Sequence, residues 1–331
     1  MLYTLALKPL ETNPLDRVAV ALAAIAGVRV HRNVSLATLA RFAMGGPAAV
    51  LAESSDPKVF AAALDMVRAS GCPWIVLGGG TNLIAEDAGY PGVILRFRGA
   101  RMHVRGNTIW VEAGADLEAL VDASVDAGLE GLHTMKRIPG WVGGAVYGNA
   151  GAYGHSLHEF VEHVQYLEDG RECAATLAEC EFAYRHSAFK THKNRVVIAV
   201  QLKLPKGDAD ALRARATEIQ RTRDAKFPPT MRCAGSIFKN FLAAQLPPDA
   251  LARVPQKSII EGKVPSAWFL EQVGAKGMQR GGIQVAGYHA NLIYNDGQGT
   301  SADFKLLVGE LKKRVWEAFG VVCEEEVQYV G

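Results

Sequence analysis

The sequence predicts an α+β protein of two or three domains, on three observations. Its 331 residues, 49% hydrophobic with 34 glycines, suffice for several units that each bury a core. Strand and helix signals alternate as far as Leu204. A polar break at Pro205-Lys206-Gly207 then precedes a long helical stretch, which marks a boundary. The expected units are an N-terminal extension with a helix over 1–28, a body over 29–204 with α+β halves at about 29–98 and 99–204, and a last α+β domain over 205–331.

Each element has a local cause. Asp56 as N-cap, Pro57 in the first turn and Gly71 as stop bracket a helix with Val59, Phe60, Ala63, Leu64 and Val67 on one face. A buried strand, Trp74 to Leu77, follows. Strand-like Ile109 to Ala113 leads to a second helix between Asp116 and Gly128, and Asp169-Gly170 reads as a hairpin turn after Phe160 to Leu167. The helix from Asp208 through Arg223 is ended by Pro228-Pro229. With Pro247-Pro248, Pro255 and Gly262, the stretch Leu242 to Lys263 reads as a surface loop or partial insertion. A terminal helix is expected over Ser301 to Phe319, capped by Ser301 and stopped by Gly320, and a final strand over Val321 to Val330.

Charge and cysteine usage exclude several classes. A net charge of +2, from 36 basic and 34 acidic residues, is too balanced for a nucleic-acid or membrane-surface binder, although it permits a local cationic pocket. Met1 to Leu10 lacks a positive leader, and Val18 to Ile25 is too short to span a bilayer, so secretion is not expected. Five scattered cysteines without a C-x-x-C pair suit a reducing, cytoplasmic setting as small core residues.

Two glycine-rich segments carry the strongest chemical signal. Leu77-Gly78-Gly79-Gly80-Thr81-Asn82-Leu83 directly follows a buried strand, and its glycines allow successive backbone N–H groups to turn toward one anion. A pyrophosphate needs that arrangement. The run Ile138 to Gly154, with Pro139, Gly140, Gly143, Gly144, Asn149, Ala150 and Gly151, is too glycine-rich for an ordinary helix or strand and too apolar for a linker. Backbone lying against a large flat ligand explains both properties; tight turns would explain either segment alone. Gly143-Gly144 to Gly148 lacks the acidic strand end of a dinucleotide-binding βαβ unit, so that fold is rejected.

In order and spacing, these segments resemble the vanillyl-alcohol-oxidase type of FAD domain and, within it, the UDP-N-acetylenolpyruvoylglucosamine reductase family. The resemblance runs through Asn33-Val34-Ser35-Leu36, Arg41-Phe42, Gly45-Gly46-Pro47-Ala48, both glycine segments, Tyr184-Arg185-His186-Ser187, Gly235-Ser236-Ile237-Phe238-Lys239-Asn240, His289-Ala290-Asn291 and Glu326-Val327. It implies non-covalent FAD, NADPH as hydride donor and reduction of the enolpyruvyl ether of a UDP-linked amino sugar in peptidoglycan precursor synthesis. No histidine or cysteine stands in either glycine segment to link a flavin covalently. The resemblance assigns Arg185 to the charge that develops toward the substrate carboxylate, a role suited to a planar guanidinium. Ser236 becomes the proton donor to carbon, with Lys226 nearby to hold the incipient alkoxide, and Glu326 assists. Tyr184, Arg223, Asn240 and His289 match substrate-site segments, with Arg223 and Lys226 toward the diphosphate.

The sequence also departs from the family pattern. Phe241 follows Asn240 where the motif usually has proline, and no folded-over segment lies between Arg185 and Lys226, which implies the shorter subclass with a more open site. Another FAD oxidase of the same fold would have no use for Arg185, Ser236 and Glu326 together, and a non-catalytic descendant would be expected to lose Ser236. His155 and His158 lack a third metal ligand, and Ser187 beside His186 lacks a nucleophile elbow. The expected protein is a monomer whose partner is a small-molecule UDP-sugar, with no metal, nucleic acid or membrane.

Overall fold

A computed structural model of the chain describes residues 13–331; Met1 to Leu10, read above for a leader, lie outside the described residues. The expected helix over the 57–69 region forms as Pro57–Ala69, with the Asp56 carboxylate accepting from the N–H groups of Lys58 and Val59. Its Phe60, Ala63, Leu64 and Val67 are buried, while Val59 sits half-buried at the edge of that face. Together with the helix Pro14–Ala23 it covers a four-stranded sheet ordered Arg29–Ser35, Pro47–Ser54, Tyr90–Phe97, Trp74–Val76. Tyr90–Phe97 runs parallel to both its neighbours. The strand Trp74–Val76 stops one residue before the expected Leu77, whose N–H still reaches Leu95 O at 2.9 Å, and there releases the chain into the first glycine segment.

The second sheet is antiparallel, ordered Arg171–Thr176, Val161–Glu168, Val196–Lys203, Thr108–Glu112, Met102–Arg105. Asp169 and Gly170, with φ of +48° and +76°, make the two-residue turn that pairs Glu168 with Arg171. The helix Leu117–Asp126, capped by Asp116, backs this sheet. Ala209–Lys226, capped by Asp208, buries Leu212 and Ala216 against Val125 of that helix. The long helix that follows Gly207 therefore rests on the body, and near its C-terminal end Asp224 accepts from Arg137 Nε at 2.8 Å.

The C-terminal core gathers on the sheet Cys233–Ser236, Leu292–Asn295, Ile283–Val285, Gln279–Arg280 and the helix Ser301–Phe319. Three expectations change here. Thr300, not Ser301, caps the last helix: its hydroxyl accepts from Asp303 N–H while Asp303 accepts from Thr300 N–H, and the buried Ser301 bonds to Asp87. The stretch Leu242 to Lys263 is not a surface loop, because Leu246, Ala250 and Val254 enter the core and proline starts the short helix Pro248–Ala252. Only Gln328–Val330 of the expected final strand forms, since its partner edge, Leu83–Ala85, is three residues long. Glu326 consequently precedes that strand rather than lying on it.

Candidate active site

Five consecutive backbone donors define the first glycine segment. The N–H groups of Gly78, Gly79, Gly80, Thr81 and Asn82 have no hydrogen-bond partner among the described residues. Gly80 has φ +65°, and a Cβ there would lie 1.9 Å from Leu39 O, so only glycine fits. The two segments abut: Thr81 Oγ1 donates to Pro139 O at 3.2 Å, and a Cβ on Gly79 would stand 3.2 Å from Gly140 Cα. Leu83 is buried at the loop's exit. Consecutive unpaired donors in a glycine loop suit the diphosphate of a cofactor such as FAD.

The second segment is not wholly irregular, as its glycine content suggested. Val142–Tyr147 is a short helix, and Gly143 permits it because a Cβ there would lie 2.9 Å from Ala113 Cβ. Gly144 opens to free space. Asn149 turns its amide inward, donating to Ala183 O at 2.9 Å and accepting from His158 N–H at 3.2 Å. Ala150 continues the same turn through its N–H to Ala145 O, and the carbonyl of Gly151 accepts from Arg185 Nη2 at 3.1 Å.

Arg185 and Glu326 meet although 141 positions separate them. Arg185 Nε donates to Glu326 Oε1 at 2.6 Å, with both side chains about a quarter exposed at 24% and 21%. Three backbone contacts set the glutamate: its N–H donates to Ile237 O at 2.7 Å, its carbonyl accepts from Asn82 Nδ2 at 2.9 Å, and Gln328 N–H reaches Asn82 O. The glycine loop thus holds the glutamate through Asn82. Ser236, next to Ile237, ends the strand Cys233–Ser236, and its hydroxyl has no hydrogen-bond partner among the described residues. A free hydroxyl there is available to a ligand. Tyr184 OH accepts from Asn240 N–H at 3.1 Å, and Asn240 Oδ1 accepts from Ser266 N–H at 3.3 Å.

Arg223 and Lys226 lie on the last turn of Ala209–Lys226, with Arg223 Cζ 5.5 Å and Lys226 Nζ 5.2 Å from the Phe227 ring. Burial lowers the pKa of both; Arg41 and Arg185 repel the Arg223 charge, and Arg223 repels Lys226. Arg223 Nε is buried without a partner, and neither cation has a carboxylate within salt-bridge distance among the described residues. Such a cluster gains most from an anion placed between its members. His289 is driven down to about 4 by burial and by Lys226, so its imidazole is neutral near pH 7, and its Nδ1 accepts from Asn291 N–H at 3.2 Å.

Three more residues stand at the cleft that the sequence reading left without a role. Arg41 donates its N–H to Gly80 O at 3.0 Å, which plants it on the glycine loop. Lys263 Nζ lies 4.7 Å from the Tyr184 ring, opposite the expectation for a segment read as surface loop. Lys190 donates to the carbonyl of Arg185 at 3.2 Å. Only Arg41, which belongs to a quoted motif, carried a local signal. The tip of the hairpin Gly151–Ser156 meets Glu261, whose Oε1 would be 2.6 Å from a Cβ on Gly154. His155 pairs with Glu159 at 2.8 Å and His158 with Ser156 Oγ at 2.9 Å.

The sequence and the fold both have close counterparts. Residues 47–170 match the FAD binding domain model, and residues 227–330 match the C-terminal domain model of UDP-N-acetylenolpyruvoylglucosamine reductase. The UDP-N-acetylenolpyruvoylglucosamine reductase of Solibacter usitatus is 50% identical over 94% of this chain and 99% of its own length. The one from Anoxybacillus flavithermus is 32% identical over 91% of this chain and 94% of its own. The crystal structure of the reductase from Thermus caldophilus superposes with a TM-score of 0.72 at 31% identity, covering 92% of this chain and 100% of that one.

Proposed function

Because the chain belongs to the UDP-N-acetylenolpyruvoylglucosamine reductase family, we propose that Arg185, Ser236 and Glu326 are the residues with which it works on the enolpyruvyl group. The protein is an FAD-dependent oxidoreductase that reduces a UDP-sugar enolpyruvyl ether with NADPH in peptidoglycan precursor synthesis. FAD, when bound there, would supply the hydride chemistry between NADPH and the enolpyruvyl double bond. On this reading the FAD is held by Leu77, Gly78, Gly79, Gly80, Thr81, Asn82 and Leu83 and by Pro139, Gly140, Gly143, Gly144, Asn149, Ala150 and Gly151. The first set would contribute free backbone donors and the second mainly backbone with little side-chain bulk.

The observation that carries the proposal is the Arg185–Glu326 contact of 2.6 Å, formed beside a serine whose hydroxyl has no partner among the described residues. Arg185 offers a fixed positive charge to the carboxylate side of the substrate. Ser236 is a weak acid, and on this reading the Lys226 ammonium holds the incipient alkoxide as the proton goes to carbon. Glu326, oriented by Ile237 and Asn82, is suited to orient that donor or return its proton. Tyr184 and Asn240 form the wall, Arg223 and Lys226 face the diphosphate, and neutral His289 offers a hydrogen bond. We further read the units as 1–28, 29–204 and 205–331, with the Ala209–Lys226 helix resting on the body yet delivering two cations to the cleft. No described helix is long and apolar enough to cross a membrane, and five cysteines without a disulfide among the described residues support a cytoplasmic location. On this reading the enzyme works as a monomer.

Ser236→Ala tests the assignment by separating two half-reactions. Bleaching of the flavin by NADPH should proceed at a near-normal rate, whereas reoxidation by the UDP-enolpyruvyl sugar should slow by about 10²-fold to 10⁴-fold, the contribution of a positioned general acid. Stopped-flow absorbance reads both phases, and FAD stoichiometry checks folding. Wild-type reoxidation would make Ser236 structural.

A further inference from the structure

Arg185 occupies a backbone position that its side chain disfavours. Ala183 and His186 exchange hydrogen bonds of 3.2 and 3.1 Å, which makes Tyr184 and Arg185 the centre of a tight turn, and Arg185 has φ +55°. Glycine usually takes such a place because a Cβ crowds the neighbouring carbonyl. Something must hold the turn. The carbonyl of Arg185 accepts from Lys190 Nζ at 3.2 Å, and Lys190 comes from the short helix Ala188–Thr191. That helix is itself fixed, since buried Ser187 donates to Tyr147 O at 2.8 Å and Ala188 N–H donates to Cys180 O at 2.8 Å.

A half-buried ammonium is a costly donor for a single turn carbonyl, where a neutral side chain would serve. The charges around it explain the choice. Lys239 and Lys193 repel Lys190, while Glu326 and Glu324 attract it, and burial with Lys239 lowers its pKa. Lys239 is paired with Glu324, and Lys193 with the Tyr147 hydroxyl. Lys190 has no carboxylate within salt-bridge distance among the described residues and stands over the backbone of the residue that grips Glu326.

We propose that Lys190 is a positioning residue: its hydrogen bond to the Arg185 carbonyl locks the left-handed turn that aims the guanidinium at Glu326 and Gly151, and its charge offsets Glu326 so that Arg185 stays available to an anionic substrate. This rests on the reading of Arg185 as the cation facing the substrate carboxylate. It does not require Lys190 to touch substrate.

The test compares Lys190→Met, Lys190→Arg, Lys190→Ala with and without ethylamine, Arg185→Ala, and the double variant Arg185→Ala/Lys190→Met, each as FAD-loaded full-length enzyme. FAD content and bleaching by NADPH should match the wild type in Lys190→Met. Sugar-driven reoxidation should slow by about 10-fold to 10²-fold, the scale of a misplaced catalytic group. Arginine should restore most of the rate, and ethylamine should restore part of it to Lys190→Ala, an effect that a purely structural side chain would not show. The double variant should be no slower than Arg185→Ala, because both act on one element. If Arg185→Ala reoxidises at the wild-type rate, the reading of Arg185 fails. If Arg185→Ala is slow while Lys190→Met is as fast as wild type, or if the two losses multiply, only the role of Lys190 is overturned. Should the methionine variant not fold, Lys190→Leu, which likewise has no donor, carries the same comparison under the same criteria.

Discussion

Where the glycine loop offers five backbone N–H groups and almost no side chains, the cleft beside it is made of charged and polar side chains gathered from four separate stretches: Arg185, Arg223 with Lys226, Ser236 and Glu326. The difference is one of tolerance. A backbone cradle depends on atoms that must not be there, so adding one carbon at a crowded position is ruinous. A side-chain cluster depends on charge and reach, so exchanging one cation for another leaves partial function. Both regions are joined at Asn82, whose N–H belongs to the cradle and whose amide holds the Glu326 carbonyl at 2.9 Å.

The largest effect should come from breaking the cradle. Gly80→Ala places a Cβ 1.9 Å from Leu39 O at a φ of +65° and must move the loop, so the purified variant should hold almost no FAD and lose both half-reactions. Gly309→Ala, on the exposed face of the helix Ser301–Phe319 where a Cβ meets nothing within 4 Å, should retain it. The flavin-to-protein absorbance ratio measures both, and equal retention would show that the loop is not a close-fitting cradle.

A smaller effect is expected in the cleft. Arg185→Lys keeps the charge and loses the fork that reaches Glu326 and Gly151 together, so sugar turnover should fall by about 10²-fold, as on losing one preorganised donor. FAD content should not change. Turnover equal to wild type would mean that charge alone suffices there.

The smallest effect concerns His289. Its pKa falls from 6.5 to about 4 in the fold, so between those values the unfolded chain binds a proton that the native one refuses. Stability should accordingly be full above about pH 6.5 and decline as pH drops toward 4, with His289→Gln removing up to one proton's worth of that slope. Urea midpoints of wild type and variant across this range give the comparison, and parallel curves would show that His289 is not shielded.

Local chemistry alone determined much of this protein. Asp56, Asp116 and Asp208 cap the helices where their side chains can reach the first N–H groups, Asp169-Gly170 turns the hairpin, and glycines at 78–80 follow a strand, because these effects act within a few residues. The order of motifs was sufficient to point to the family; it also put forward Arg185, Ser236 and Glu326, of which the fold brings the arginine and the glutamate into contact. Tertiary structure decided the rest. Whether Val321 to Val330 forms a strand depends on an edge at Leu83–Ala85, more than 200 positions away, and whether Leu246, Ala250 and Val254 are loop or core depends on the cluster they meet. Thr300 outcompeted Ser301 as cap because Asp87 and Glu86, far off in sequence, take the Ser301 hydroxyl. The same cause hid Lys190 and Lys263: a cation's role is set by the carbonyl or ring it meets, and only folding brings Lys263 over Tyr184.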